Sequence, residues 1–141
     1  MANDVEKMMM DYLAATNAHD LEKILTFFTD DCVYDCMPMG KVSHGKKELK
    51  DFFSSTFANM PDFKIEAKSG FNTGDWGAVE WVMSGTFAHS NIPGVPATGK
   101  SFSVRGASIT EFRGGKISRN TNYWNLASML QQVGTMSALP Q

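Results

Sequence analysis

Residues 118–125 read SRNTNYWN and follow directly on the turn RGGK. Asn120, Asn122 and Asn125 crowd Tyr123 and Trp124 in a stretch that should be a strand. Asparagine is depleted in strands and favours turns, so something other than backbone preference put these amides here. A period of two places Asn120, Asn122 and Trp124 on one face. An amide donates and accepts hydrogen bonds, so such a row can orient a carbonyl, but it cannot shuttle a proton near neutral pH. Two readings stand: amides that touch a ligand, or buried amides paired with backbone.

Groups able to move a proton lie elsewhere in the chain. Tyr12 sits within DYLAATNAHDL and Asp35 within TDDCVYDCMPMG. His19, His44 and His89 have no metal-ligand spacing relative to one another or to carboxylates, so no metal site is expected. His44, just ahead of a helix, could reach a cavity mouth and act as a base. Cys32 and Cys36 lie in one extended segment. At about 3.3 Å of rise per residue they are too far apart for a disulfide, and their spacing is wrong for CxxC. Two buried thiols in a reducing cytoplasm are the simpler reading. GGK and PATGK lack the strand–turn–helix setting of a phosphate loop.

The elements that must position these groups follow from periodicity. Val5, Met8, Met9, Tyr12, Leu13 and Thr16 recur at helical spacing on one face. NAHD breaks the pattern, and Asp20 can cap a second helix with Leu21, Ile24, Leu25 and Phe28 on its face. TDDCVYDCMPMG is extended and closed by Pro38 and Gly40. HGKKELKDFFSSTFANMPD is helical through Leu49, Phe52, Phe53 and Phe57, and Pro61 ends it. From Phe63 the period becomes two: a strand with Ile65 and Ala67, then the turn TGDWG. A long strand follows, with Val79, Trp81, Met83 and Phe87 on one side. NIPGVPATGK is a loop, SFSVRGASITEF a strand, RGGK a hairpin turn and ISRNTNYWN the last strand. LASMLQQVG closes as a short helix with Gly134 as its C-terminal cap. Helices first and an antiparallel sheet afterwards predict an α+β fold, one domain over residues 1–141.

Composition excludes several classes of function. The chain has 141 residues, 43% hydrophobic and 20% charged, with a formal net charge of −2 and a pI near 5.9. That balance gives no pull toward nucleic acid or an anionic membrane. The start MANDVEKMMMDYL does not read as a signal peptide, and no apolar run approaches the roughly 20 residues of a membrane span. A cytoplasmic location is expected.

Three stretches, in order, resemble the SnoaL-like and ketosteroid-isomerase-like branch of the NTF2-like superfamily. DYLAATNAHDLEKILTFFTDDCVYD resembles the paired helices and first strand of the isomerases. IPGVPATGKSFSVRGASITEFRGGKI resembles SnoaL-type polyketide cyclases, and NYWNLASMLQQVG their last strand and closing helix. The resemblance covers roughly residues 5–134. It implies an NTF2-like cone: N-terminal helices against a strongly bent, mostly antiparallel sheet around an apolar cavity. It also implies no cofactor, a small hydrophobic carbonyl ligand (polyketide- or steroid-like), and acid–base chemistry with an acid moving a proton and donors holding an enolate-like oxygen.

On that resemblance Tyr12 stands at the oxyanion-holding tyrosine, or merely in the apolar stripe of its helix. Asp35 is the carboxylate near the end of the strand where the isomerases carry their proton shuttle. Counted without a gap, however, the shuttle position is Cys36, and only a deletion or bulge would turn Asp35 inward. Asn122 stands where the cyclases hold an aspartate, so the acid there is replaced by an isosteric amide. Ser108 occupies the place of the second isomerase acid. Arg105 lies where limonene epoxide hydrolases begin an Arg-x-Asp pair, but its Asp is missing here; Arg105 could bind an acidic group or be a solvated strand residue. Trp81, Phe57, Asn120, Trp124 and His44 complete the candidate ligand contacts. Asp35, Tyr12 and Asn122 are thus the expected catalytic set of an isomerase, cyclase or lyase. The competing expectation is a non-catalytic binding protein with a degraded acid set, and a third is a dimerisation module with its cavity filled. A homodimer through the outer face of the sheet is expected, since one layer of helices cannot cover all the large apolar strand residues.

Overall fold

The computed structural model describes residues 4–135. The amphipathic stripe of the first segment forms α1 (Asp4–Asn17), whose first turn carries Asp4 and Glu6, well placed against the helix dipole. It buries Tyr12, Ala15 and Thr16. The Asp20 side chain accepts from the Lys23 N–H at 3.1 Å and so caps α2 (Leu21–Leu25). Phe28 does not extend α2; it is fully buried and opens strand β1 (Phe28–Cys36). A 3₁₀ turn over Met37–Met39, closed by Gly40 at φ 62°, leads into β2 (Lys41–His44), too short to show a period in the sequence. Helix α3 (Gly45–Asn59) buries Leu49 and Phe53.

Four longer elements complete the sheet: β3 (Lys64–Asn72), β4 (Trp76–Thr86), β5 (Ser101–Arg113) and β6 (Lys116–Trp124), followed by α4 (Leu126–Gln132). The strand order is β2-β1-β6-β5-β4-β3. The pairing of β1 with β6 is parallel and the others are antiparallel. This is the expected α+β cone, with helices held against one face of a bent sheet. Among the described residues no helix is long and apolar enough to cross a membrane.

Two apolar clusters hold the layers together. One gathers Ile24, Phe28, Leu49, Phe53, Phe112 and Ile117 beneath α1, α2 and α3. The other joins Trp81, Met83, Phe87, Phe102 and Val104 to Val133 beyond α4. Each fully buried large side chain stabilises the fold by about 1.5–3 kcal/mol. Between the clusters the cone stays open. Trp81 pairs with Gly106 on β5, where a Cβ would come within 2.5 Å of the indole. Only glycine lets the ring lie flat against that strand, and this fixes where the indole N–H points.

Candidate functional site

The opening inside the cone has a volume of about 560 Å³. Its walls are mostly apolar: Met9 and Leu13 from α1, Phe52 and Phe53 from α3, Val79 and Met83 from β4, Met129 and Leu130 from α4. Ile92, Pro93 and Val95 of the loop after β4 also line it. That loop is tied to α3 by paired amides: Asn59 Nδ2 donates to Asn91 Oδ1 at 3.0 Å, and the Asn91 N–H donates to Asn59 Oδ1 at 3.2 Å.

One end of the cavity is polar, and β5 and β6 build it. Ser108 pairs with Asn122 and Thr110 with Asn120, with all four side chains buried on the cavity side of the sheet. An indole N–H can only donate, and it sets the direction of the whole hydrogen-bond chain. Trp81 Nε1 donates to Ser108 Oγ at 2.9 Å, so the Ser108 hydroxyl donates onward to Asn122 Oδ1 at 2.6 Å. Thr110 Oγ1 donates to Asn120 Oδ1 at 2.9 Å, and Asn120 Nδ2 donates to Asn122 Oδ1 at 2.7 Å. The Asn122 oxygen thus accepts two bonds, and its Nδ2 donates to the Tyr34 hydroxyl at 2.7 Å. The amides in the last strand satisfy one another and end on a phenol. They do so while Asn120, Asn122, Ser108 and Trp81 all line the cavity.

Tyr34 was not anticipated as a site residue. It is buried on β1, and its ring packs against Phe52 and Phe53 with centroids 5.3 and 5.4 Å away. Burial raises its pKa above the usual phenol range, and the Asn122 hydrogen bond opposes the rise. Tyr12 is pushed well above that range by burial first and then by Tyr34. The interaction between the two hydroxyls raises Tyr12 and lowers Tyr34. The Tyr34 oxygen accepts from Asn122, and its hydroxyl lies among the residues that line the cavity. Cys36 lies beside Asn122 in the parallel pairing and also lines the cavity. Burial raises its thiol pKa, opposed by hydrogen bonds from the Met39 backbone and the Trp124 side chain.

The expected catalytic trio is not brought together. Tyr12 and Asn122 line the cavity; Asp35 does not. Cys32, Tyr34 and Cys36 alternate as the buried positions of the second half of β1, which leaves Asp35 on the opposite face. The one irregularity in the β1–β6 pairing falls between Phe28 and Val33, and Val33–Cys36 then run in unbroken register with Arg119–Asn122. No bulge lies where it would turn Asp35 inward. Its carboxylate sits 3.8 Å from the Arg119 guanidinium instead.

Three further candidates also stand away from the cavity. Arg105 is exposed and pairs with Val82 on the outer face of the sheet. His44 is exposed ahead of α3, where its backbone N–H donates to Glu48 Oε1 at 3.0 Å. Its part is in the capping of the helix. Phe57 stacks on the His19 ring, with centroids 4.0 Å apart, outside the set of lining residues. Trp124 does line the cavity. The signal that could have found Tyr34 was the alternation Cys32, Tyr34, Cys36, which is plain in CVYDC once a register is chosen.

Solved structures share this architecture. A protein of ketosteroid isomerase-like fold from Catenulispora acidiphila, solved with trimethylamine, has a TM-score of 0.77 at 24% identity, over 91% of this chain and 92% of its own. IdmH of Streptomyces antibioticus, proposed to be a polyketide cyclase, has a TM-score of 0.79 at 23% identity, over 94% of this chain and 99% of its own. A Pseudomonas putida protein, also proposed to be a polyketide cyclase, has a TM-score of 0.80 at 23% identity with the same coverage, 94% and 99%. At such identities the likeness is one of fold. No curated protein matches the chain. The sequence profile of the SnoaL-like polyketide cyclases matches residues 6–133, a span that takes in every strand of the cone and every residue of the Trp81–Tyr34 chain. That match supports a cyclase- or isomerase-like role, and by it the chain belongs to the SnoaL-like polyketide cyclase family.

Proposed function

We propose that the protein is a cofactor-independent cyclase or isomerase for a small hydrophobic carbonyl compound, polyketide-like rather than steroid-like. The observation that carries this reading is the Tyr34 hydroxyl at the polar end of an apolar cavity, where its oxygen accepts from Asn122 and is read here as accepting from Tyr12 too. Two donors into one oxygen polarise its outgoing O–H, which then stabilises negative charge on a carbonyl oxygen bonded to it. Asn120 and Asn122 keep that donor aimed, and Tyr12 supports it from behind.

No carboxylate or imidazole is among the described lining residues, so the substrate must supply its own acidity. A 1,3-dicarbonyl does, because its enol is populated in neutral water, whereas a simple ketone needs a base to reach the enolate. In an aldol closure the enol carbon bonds to a second carbonyl carbon of the same chain. The π bond of that carbonyl breaks and its oxygen takes the Tyr34 proton. The enol O–H, becoming a ketone, returns a proton to the phenol, so the step is proton-neutral.

A second reading, a binding protein, is favoured by one observation: burial holds Tyr12, Tyr34 and Cys36 in their neutral forms. The two separate in one experiment. A 1,3-diketone with a pendant ketone and a simple β,γ-unsaturated ketone are each incubated with the protein. Accelerated ring closure of the first, with little turnover of the second, is expected. Tight binding of both without acceleration would leave the binder.

Two accompanying proposals follow from the same chain. The free buried thiols Cys32 and Cys36 suit a reducing cytoplasm. On the outer face of the sheet Trp76, Ile109, Tyr123 and Val42 are 40–50% exposed, and a second copy of the chain would cover them. Sedimentation at micromolar concentration should give a dimer; a species of 15.6 kDa would refute it.

A further inference from the structure

We propose that Lys41 at the cavity mouth anchors a carboxylate, so that the substrate class is a hydrophobic keto acid. The inference rests on reading the cavity as a carbonyl-binding site and adds the second end of the ligand. Strand pairing sets Cys36 opposite Lys41 on one side and opposite Asn122 on the other. Directly paired side chains share a face of the sheet, so Lys41 issues on the cavity side, as Cys36 does, whereas the next residue, Val42, pairs with the outward Asp35. Lys41 is exposed and lines the opening beside Pro38 and Met39.

Lys41 carries the one formal charge among the described lining residues. Lys46 and Lys50 on α3 are matched by Asp30 and Glu22, at 3.3 and 2.8 Å. No such acid pairs with Lys41 among the described residues. A single ammonium, with no guanidinium fork and no second cation among the lining residues, suits a monoanionic carboxylate better than a phosphate. Tyr34 stands one strand spacing across and two residues along from Lys41, roughly 8 Å. A ligand whose carbonyl meets Tyr34 therefore presents its acid to Lys41 across about one ring system.

The test uses anthraquinone-2-carboxylate and its methyl ester, each titrated against the full chain by quenching of Trp81 and Trp124, which both line the cavity. The acid should bind about two- to five-fold tighter than the ester at low salt, the range for a solvent-accessible ion pair. The preference should fade toward 1 M salt, where the screening length is about 3 Å. Lys41→Met should abolish it with ester affinity unchanged, while Lys41→Arg and the distant charge control Lys47→Met keep it. Equal binding of acid and ester by the parent protein, or a preference that survives Lys41→Met, overturns the anchor and leaves the cavity reading standing. Failure of both compounds to bind overturns the cavity reading and the anchor with it.

Discussion

Tyr34→Phe and Tyr12→Phe are the substitutions that weigh the hydrogen-bond chain most directly. Each removes one oxygen and keeps a ring, and the aromatic contacts of Tyr34 with Phe28, Phe52 and Phe53 persist. In Tyr34→Phe the Asn122 Nδ2–H loses its acceptor at 2.7 Å, and the Tyr12 hydroxyl loses its own. Stranding a buried donor costs about 1–3 kcal/mol, so the pair predicts a loss of about 2–4 kcal/mol after partial relaxation. In Tyr12→Phe the Tyr34 oxygen still accepts from Asn122, and the hydroxyl's neutral bonds to Tyr34 and Thr16 go without stranding a buried amide, about 0.5–1.5 kcal/mol each. Urea denaturation reads both values. In turnover of a 1,3-dicarbonyl, losing the donor to the developing alkoxide should cost about 10²–10³-fold in kcat for Tyr34→Phe. Tyr12→Phe, acting through Tyr34, should cost much less. If Tyr12→Phe proves the more damaging to stability and to kcat, the direction assigned to the chain is wrong, and Tyr12 is the oxygen holder.

Other perturbations test the remaining parts. Asn122→Asp places a carboxylate where Ser108 and Asn120 already donate, and Tyr34 must then donate to it rather than to ligand. A Kemp-type probe should gain turnover while dicarbonyl closure falls; no gain in the folded variant would count against a cavity-facing position 122. Asp35→Asn, on the outer face beside Arg119, should shift stability by under about 0.5 kcal/mol and leave ligand affinity unchanged. A large loss of activity would restore Asp35 as a proton carrier. The phenol pKa values of Tyr12 and Tyr34 are raised in the folded state, so their contribution is intact below the unfolded value of 10.0 and is lost as pH climbs through the folded ones. Stability should therefore fall from about pH 10 upward, less steeply in Tyr12→Phe, and absorbance at 295 nm should show two phenols that ionise only on unfolding.

Much of the fold was legible in the sequence because its causes are local. The stripe of α1, the Asp20 cap, the Pro61 stop and the alternation in β4 and β6 depend on neighbours within a turn or two, where pattern and geometry coincide. The common face of Asn120, Asn122 and Trp124 follows from the same period of two. The choice between Asp35 and Cys36 does not. Both fit an alternating strand, and only pairing with Asn122 on a strand far along the chain decides which one turns inward. Tyr34 owes its place to an amide 88 residues away, and Lys41 to a strand of four residues with no period of its own. Periodicity thus put the amides on one face and the family resemblance implied a cavity whose acid they replace, whereas register, a long-range property of the closed sheet, decided which phenol ends the chain and where a charge meets the mouth.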